Sequence, residues 1–312
     1  MNYKTLSFSL PVSYPFRLDW TVWALRRRKA NIVDWWDGKQ YRRVAIIEGS
    51  PVKITVSHDE NCTNFKPEIN ITLKSEKEIT GKVQKEATQL LQKMLGLNID
   101  LQPFYTLAGT NDFLKPLARQ FYGVKPPRFP DVFEGLINSI TGQVVTLDLS
   151  ILLQNRLSEN YGMKFIDDDD IILHAFPRPD DLVDISVKDI KKLGFSYQKA
   201  EAIKKLAADV FYNKINLADL DKLKNSEVIG YLSGIRGIGR WSAEYALLRS
   251  LGRLDIFPGD DIGAKNNIAQ IFSLDKKPDY EETRNLTSQW HPYEGFVYFH
   301  LLLNKLQQRG VI

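Results

Sequence analysis

The stretch Leu232-Ser-Gly-Ile-Arg-Gly-Ile-Gly-Arg-Trp-Ser-Ala-Glu-Tyr245 constrains this chain more than any other feature. Apolar residues at three- and four-residue spacing flank a Gly-Ile-Gly, so the segment reads as a helix, a tight hairpin and a second helix. Gly237 and Gly239 let the backbone turn where a side chain would clash, and let it approach a ligand closely. The N–H groups that open the helix at Arg240 then lack intrahelical partners and point outward, forming an anion site. A bare Gly-x-Gly is more often a helix–helix turn that binds nothing. Here the pattern is longer and includes small Ala243 for close helix packing, which favours a backbone grip on nucleic-acid phosphate. Such a grip fixes position on a duplex without reading its sequence.

About one helix later comes Phe257-Pro-Gly-Asp-Asp-Ile-Gly263. Asp is among the best helix caps, worth about 1 kcal/mol, and one of Asp260 and Asp261 is expected to do only that. A carboxylate at a helix N-terminus is also held ionised by the helix dipole, where it suits stabilisation of a nearby cationic sugar. Local chemistry does not choose between the two residues. Trp241 and Tyr245 lie at i and i+4, hence on one helix face, where position alone favours core packing over ligand contact.

At 312 residues the chain is long enough for two or three cores. Up to about residue 100 it reads as mixed α and β. Tyr3–Leu10 alternates like an edge strand, Leu18–Lys29 is helical, and Val44–Ile47, Val52–Val56 and Ile69–Leu73 are β-branched runs between turns. Glu78–Leu95 is an amphipathic helix ending at Gly96. From about 110 onward the pattern is almost entirely helical, with a long helical pair over Asp131–Asn160 after a proline-rich break. The acidic run 167–170 lacks the glycine and spaced oxygen ligands of a calcium loop, and a solvated loop is expected.

Cys62 is the only cysteine, so the chain has no internal disulfide and no cysteine-ligated zinc or iron–sulfur site. No apolar run approaches the roughly 18 residues of a membrane span, and Met1–Val12 lacks the pattern of a secretory signal. An intracellular protein is the plain expectation. The net charge of +4 is a weak argument for nucleic acid, because the basic excess lies in residues 1–110, away from the hairpin.

Taken together, the hairpin and the acid turn resemble the helix-hairpin-helix DNA glycosylase superfamily, most closely its bacterial and archaeal 3-methyladenine DNA glycosylase II branch. The resemblance extends over Tyr122–Glu134, Ile140-Thr-Gly-Gln-Val-Val145, Leu193–Ala202 and Trp290-His-Pro-Tyr293 through His300. It implies an α+β fold: a small N-terminal antiparallel-sheet domain over 1–110, then a mostly α-helical glycosylase core of two lobes over 111–312. It also implies that Asp261 is the catalytic carboxylate and Asp260 its structural support. Gln143 and Val144 match the wedge that fills the space a flipped base vacates. Gly237, Ile238, Gly239, Arg240 and Ser242 would hold phosphate, while Trp241 and Tyr245 line the base pocket.

Bifunctional members carry a nucleophilic lysine where this chain has Trp241, and an indole cannot form a Schiff base. The resemblance therefore implies a monofunctional enzyme that releases an alkylated purine and leaves an abasic site. The absence of a four-cysteine cluster separates the chain from the iron–sulfur branch. Two pocket positions depart from the pattern, with Ile262 and Leu302 where relatives often place aromatic rings; His300 is expected to be structural. The chemistry needs no metal or organic cofactor, although carbonyls of Ser233, Ile235 and Ile238 match those that hold a structural monovalent ion in relatives. The implied partner is double-stranded DNA containing damaged bases, bound by a monomer in the cytoplasm with the nucleoid of a bacterium or archaeon. Two other readings remain open: a glycosylase for oxidised or deaminated bases, and a damage-binding module without chemistry.

Overall fold

The computed structural model describes residues 3–58, 67–168 and 171–312; Cys62 and positions 169 and 170 of the acidic run lie outside the described residues. Period-two alternation builds the N-terminal sheet. Strands β1 (Lys4–Pro11), β2 (Trp35–Trp36), β3 (Gln40–Ile47), β4 (Ser50–His58) and β5 (Glu68–Ser75) pair antiparallel in the order β1-β5-β4-β3-β2. Strand β1 is an edge, as its alternation predicted. Ile69, Ile71 and Leu73 of β5 and Val52, Ile54 and Val56 of β4 are buried. Against them packs the Gly81–Met94 helix through Val83, Ala87, Leu91 and Met94, one stripe at helical spacing. Thr80 accepts a hydrogen bond from the Val83 N–H to start this helix, and Gly96 leaves it in the left-handed region at φ 61°.

The Leu18–Arg26 helix joins this unit to the rest of the molecule. Leu18, Val22 and Leu25 sit in the sheet's core, while Trp23 and Ala24 on its other side enter the core around the C-terminal helix. The helix stops short of the predicted Lys29 because Arg27 adopts φ 61°. Arg249, fully buried, donates to the carbonyls of Ala24 (2.7 Å) and Leu25 (3.0 Å) and so satisfies the helix end.

Helices fall into two groups. In one, Val132–Gly142 is buried almost throughout and packs against Leu147–Tyr161, Tyr197–Phe211 and Arg240–Ala246. In the other, Glu294–Gln308 packs against Leu18–Arg26, Leu114–Gln120 and Ile262–Ile271. Arg240–Ala246 continues into a π-helical turn, Leu247–Leu251, which carries Arg249. Among the described residues, three helices escaped the sequence reading, Gln102–Gly109, Pro179–Leu182 and Tyr280–Thr287, none longer than eight residues.

The almost entirely helical expectation beyond 110 also fails at one place. Lys164–Ile166 and Ile172–His174 form a hairpin whose Phe165 packs on Val44 of β3. Nor is Asp167 at its turn solvated. Lys53 and Lys74 of the sheet both pair with its carboxylate, and Lys74 also reaches Asp168. Burial works to raise the Asp167 carboxyl, but these lysines prevail and hold it down at about 2. Long-range lysines could not be read from a local acidic run. Among the described residues, no helix is long and apolar enough to cross a membrane.

Candidate active site

The turn Pro258-Gly259 aims two carboxylates in different directions. A Cβ on Gly259 would lie 2.8 Å from the Tyr280 ring, so only glycine fits, and its N–H donates to Glu244 at 3.2 Å. Asp261 then caps the Ile262–Ile271 helix, its Oδ1 accepting from the Ala264 N–H at 2.8 Å. Its Oδ2 accepts from the Tyr298 hydroxyl (3.2 Å) and faces the Trp241 Nε1–H (3.4 Å). The expectation that one acid only caps while the other faces the site is thus corrected: a single residue does both, through different oxygens. Asp260 accepts from Arg240 at 2.7 and 3.0 Å and from Lys265 at 3.2 Å. Burial raises its carboxyl, yet these cations outweigh burial and keep it below the ordinary range. Arg240 also lies over the Tyr280 ring at 3.4 Å, tying the hairpin helix to the acid turn.

Asp261 opens onto a cleft of about 1270 Å³ between the two helical groups. Trp241, Tyr245, Ile262, Leu302, Gln143 and Val144 all line it. The Trp241 and Tyr245 rings lie 5.5 Å apart at 33°. Both also pack against the sheet's core, so this helix face joins the core and lines the cleft at once. Ile262 is 67% exposed, and Leu302 is half-buried on the neighbouring Glu294–Gln308 helix. His300 lies outside the cleft, among Phe104, Phe296 and Phe121, with burial pushing its imidazole down to about 4.

Among the cleft residues that went unforeseen are Tyr298, Arg27 and Asn138. Tyr298 is on a helix that was anticipated, but nothing in its neighbourhood marks it. Burial, with the Asp261 charge adding to it, holds its phenol well above the ordinary value, so it remains a hydroxyl donor. Its pairing with a residue 37 positions away is a tertiary fact.

In the hairpin the two glycines serve different needs. Gly237 has φ 85°, and a Cβ there would lie 2.6 Å from the Ala202 methyl. Gly239 has an ordinary φ of −101°, and a Cβ would meet nothing within 4 Å; what it leaves is open space. The Arg240–Ala246 helix starts without a side-chain cap, so its first N–H groups remain for an outside acceptor. Ile238 and Ser242 are buried, while the Gly237 and Gly239 backbone and the Arg236 and Arg240 side chains face outward.

Gln143 bridges this hairpin to the neighbouring loop, its amide donating to the Gly237 carbonyl (2.8 Å) and the Ser242 hydroxyl (3.0 Å). The next residue, Val144, is fully exposed at φ 53°. A β-branched residue in the left-handed region is strained, by about 1–2 kcal/mol. No packing offsets this, and such strain marks functional positions.

Residues 137–292, half of the chain, match the family described as HhH-GPD superfamily base excision DNA repair protein. A DNA-3-methyladenine glycosylase of Bacillus subtilis is 28% identical over 211 residues, covering 68% of this chain and 69% of that protein. An alkylbase DNA glycosidase-like protein of Schizosaccharomyces pombe is 31% identical over 57% of this chain and 80% of its own length. Among solved structures, a 3-methyladenine DNA-glycosylase from Archaeoglobus fulgidus superposes with a TM-score of 0.82 at 20% identity, covering 95% of this chain and 97% of that one. That likeness speaks to the fold, sheet included.

Proposed function

The chain belongs to the HhH-GPD superfamily of base excision DNA repair proteins, and from that premise we propose that it is a monofunctional DNA glycosylase acting on alkylated purines flipped from duplex DNA. The observation that carries this reading is the Asp261 Oδ2, held between the Trp241 indole and the Tyr298 hydroxyl inside the cleft. The uncapped N–H groups of the Arg240 helix bind a backbone phosphate, with Arg240 and the Gly239 gap beside it. Val144 enters the stack where the damaged base has left, and apolar wedges of this kind stabilise kinked, flipped DNA. Gln143 keeps wedge and hairpin in register.

Alkylation at N3 or N7 makes the purine cationic. Such a base stacks on the electron-rich faces of Trp241 and Tyr245. The C1′–N bond breaks with its electron pair going to the base, which leaves neutral. Asp261 stabilises the oxocarbenium-like sugar by charge, and water adds to C1′ while its proton passes to the Asp261 carboxylate. Trp241 offers no amine for a covalent intermediate, so the product is an intact abasic strand.

In this reading the carbonyls of Ser233, Ile235 and Ile238 would hold a monovalent cation, Ile235's beside the hydrogen bond it accepts from the Ile238 N–H at 3.0 Å. A bound cation would brace the hairpin and supply no chemistry. The protein acts as a monomer in this reading.

The test uses methylated duplex DNA with wild type and Asp261→Asn, free bases identified by mass, and strand breaks scored before and after alkali. Methylated purines released by wild type alone, with breaks only after alkali, are expected. Breaks without alkali would defeat the monofunctional reading; selective binding without release would replace it with a damage-binding module.

A further inference from the structure

Three consecutive arginines end the Leu18–Arg26 helix, and each guanidinium has a different fate. Arg26 is buried and spends its Nη groups on the carbonyls of Trp36, Lys29 and Asn31. Arg28 also reaches the lining of the cleft, 13% exposed, but is committed to Asp148 at 2.7 Å. Arg27 is only 9% exposed and lines the base cleft. Among the described residues its side chain makes one hydrogen bond, from Nη2 to the Asn138 Oδ1 at 3.0 Å, and no ion pair. Its Nε is buried without a partner.

A guanidinium withdrawn from water with one neutral partner is costly, and its left-handed backbone adds strain. Asn138 fixes the arrangement, since its Nδ2 is committed to the Glu134 carbonyl at 3.1 Å and its Oδ1 must therefore face Arg27. A group in the cleft that accepts from Arg27 would recover this cost.

Building on the glycosylase reading, we propose that Arg27 is a specificity-determining residue that donates to the O6 carbonyl of the flipped base. The site thereby favours N-alkylated guanines over N-alkylated adenines. A guanidinium has donors and no acceptor. Guanine presents a carbonyl acceptor at C6, where adenine presents an amino donor. Donor against donor would leave two buried groups unpaired. The Asp261 carboxylate in the same cleft offsets one of the two positive charges that Arg27 and the alkylated base bring together, and the base loses its own charge as the C1′–N bond breaks.

The experiment measures single-turnover release from duplexes carrying one 7-methylguanine or one 3-methyladenine, each relative to spontaneous loss, with melting temperatures recorded alongside. Wild type is expected to show the larger enhancement on 7-methylguanine. Arg27→Met should lower the guanine-to-adenine ratio by about tenfold or more, the effect of losing a charge-assisted hydrogen bond. Asn138→Asp, which supplies a competing carboxylate to Arg27, should lower it in the same direction and covers the case in which Arg27→Met does not fold.

Release of neither base by wild type would overturn the glycosylase reading and this inference with it. Release of both without a guanine preference, or an unchanged ratio in folded variants, would overturn the inference alone. So would an equal loss of affinity for undamaged duplex at constant ratio, which would make Arg27 a phosphate contact.

Discussion

Asp261 caps with one oxygen and faces the cleft with the other, so substitution can separate the two roles. Asn is as good an N-cap as Asp. Asp261→Asn should therefore keep its melting temperature while losing base release by on the order of 100-fold or more, as expected when a preorganised charge is removed from a developing cation. Asp261→Ala should lose activity equally and also about 1 kcal/mol of stability, measured by urea unfolding. Comparable activity in the Asn variant and wild type would remove Asp261 from the chemistry. A carboxylate after Pro-Gly was visible as a helix opener from sequence, but its division of labour was not. That division depends on Trp241 and Tyr298, which arrive from two other helices.

Among the elements, the hairpin and the wedge loop behave as one unit because Gln143 bonds to both sides of the turn. Gly237→Ala is strained twice over, by φ 85° and by contact with Ala202. We expect it to cost about 1–3 kcal/mol and to weaken binding to an abasic-site duplex; an unchanged affinity would show that the turn's shape is irrelevant to DNA. Gln143→Ala should leave stability nearly intact but weaken the same binding several-fold, read by fluorescence anisotropy. These elements were the most legible part of the chain. Gly-x-Gly between two periodic segments leaves few local conformations, whereas the residues that Tyr280–Thr287 buries are threonines, Thr283 and Thr287, so it shows no apolar stripe.

The whole molecule is joined by a buried ionic cluster between sheet and helical core. Arg43 on β3 donates to Asp34 at 2.7 Å and to Glu134 on the Val132–Gly142 helix, and Tyr41 donates to Asp34 at 2.8 Å. Burial, reinforced by the Asp34 charge, pushes Glu134 up to about 8 despite the pull of Arg43. Because the folded value is raised, the folded state holds this proton more tightly than the unfolded chain. Its stabilising contribution is complete below about 4.5 and is lost as pH rises through about 8. The melting temperature of wild type should thus fall across that window relative to Glu134→Gln, which has no proton to lose. Parallel pH profiles for the two proteins would sink this assignment.

Local physics determined much from the sequence alone. Alternation placed β1 and β-branched runs placed β3, β4 and β5, while the two-residue β2 went unread; helical spacing placed most helices, and the paired glycines and paired acids marked the hairpin and the acid turn. The motif resemblance added the reaction class. Tertiary structure decided what no local pattern encodes. It made Asp167 an ion-pair partner of two distant lysines, and it set the Tyr298 hydroxyl against Asp261. It also left Arg27 buried and nearly unpartnered at the cleft. Each of these is a charge or hydrogen bond between residues far apart in the chain. Backbone preference and periodicity act over a few residues, whereas the desolvation that gives these contacts their weight exists only once the whole fold has closed around them.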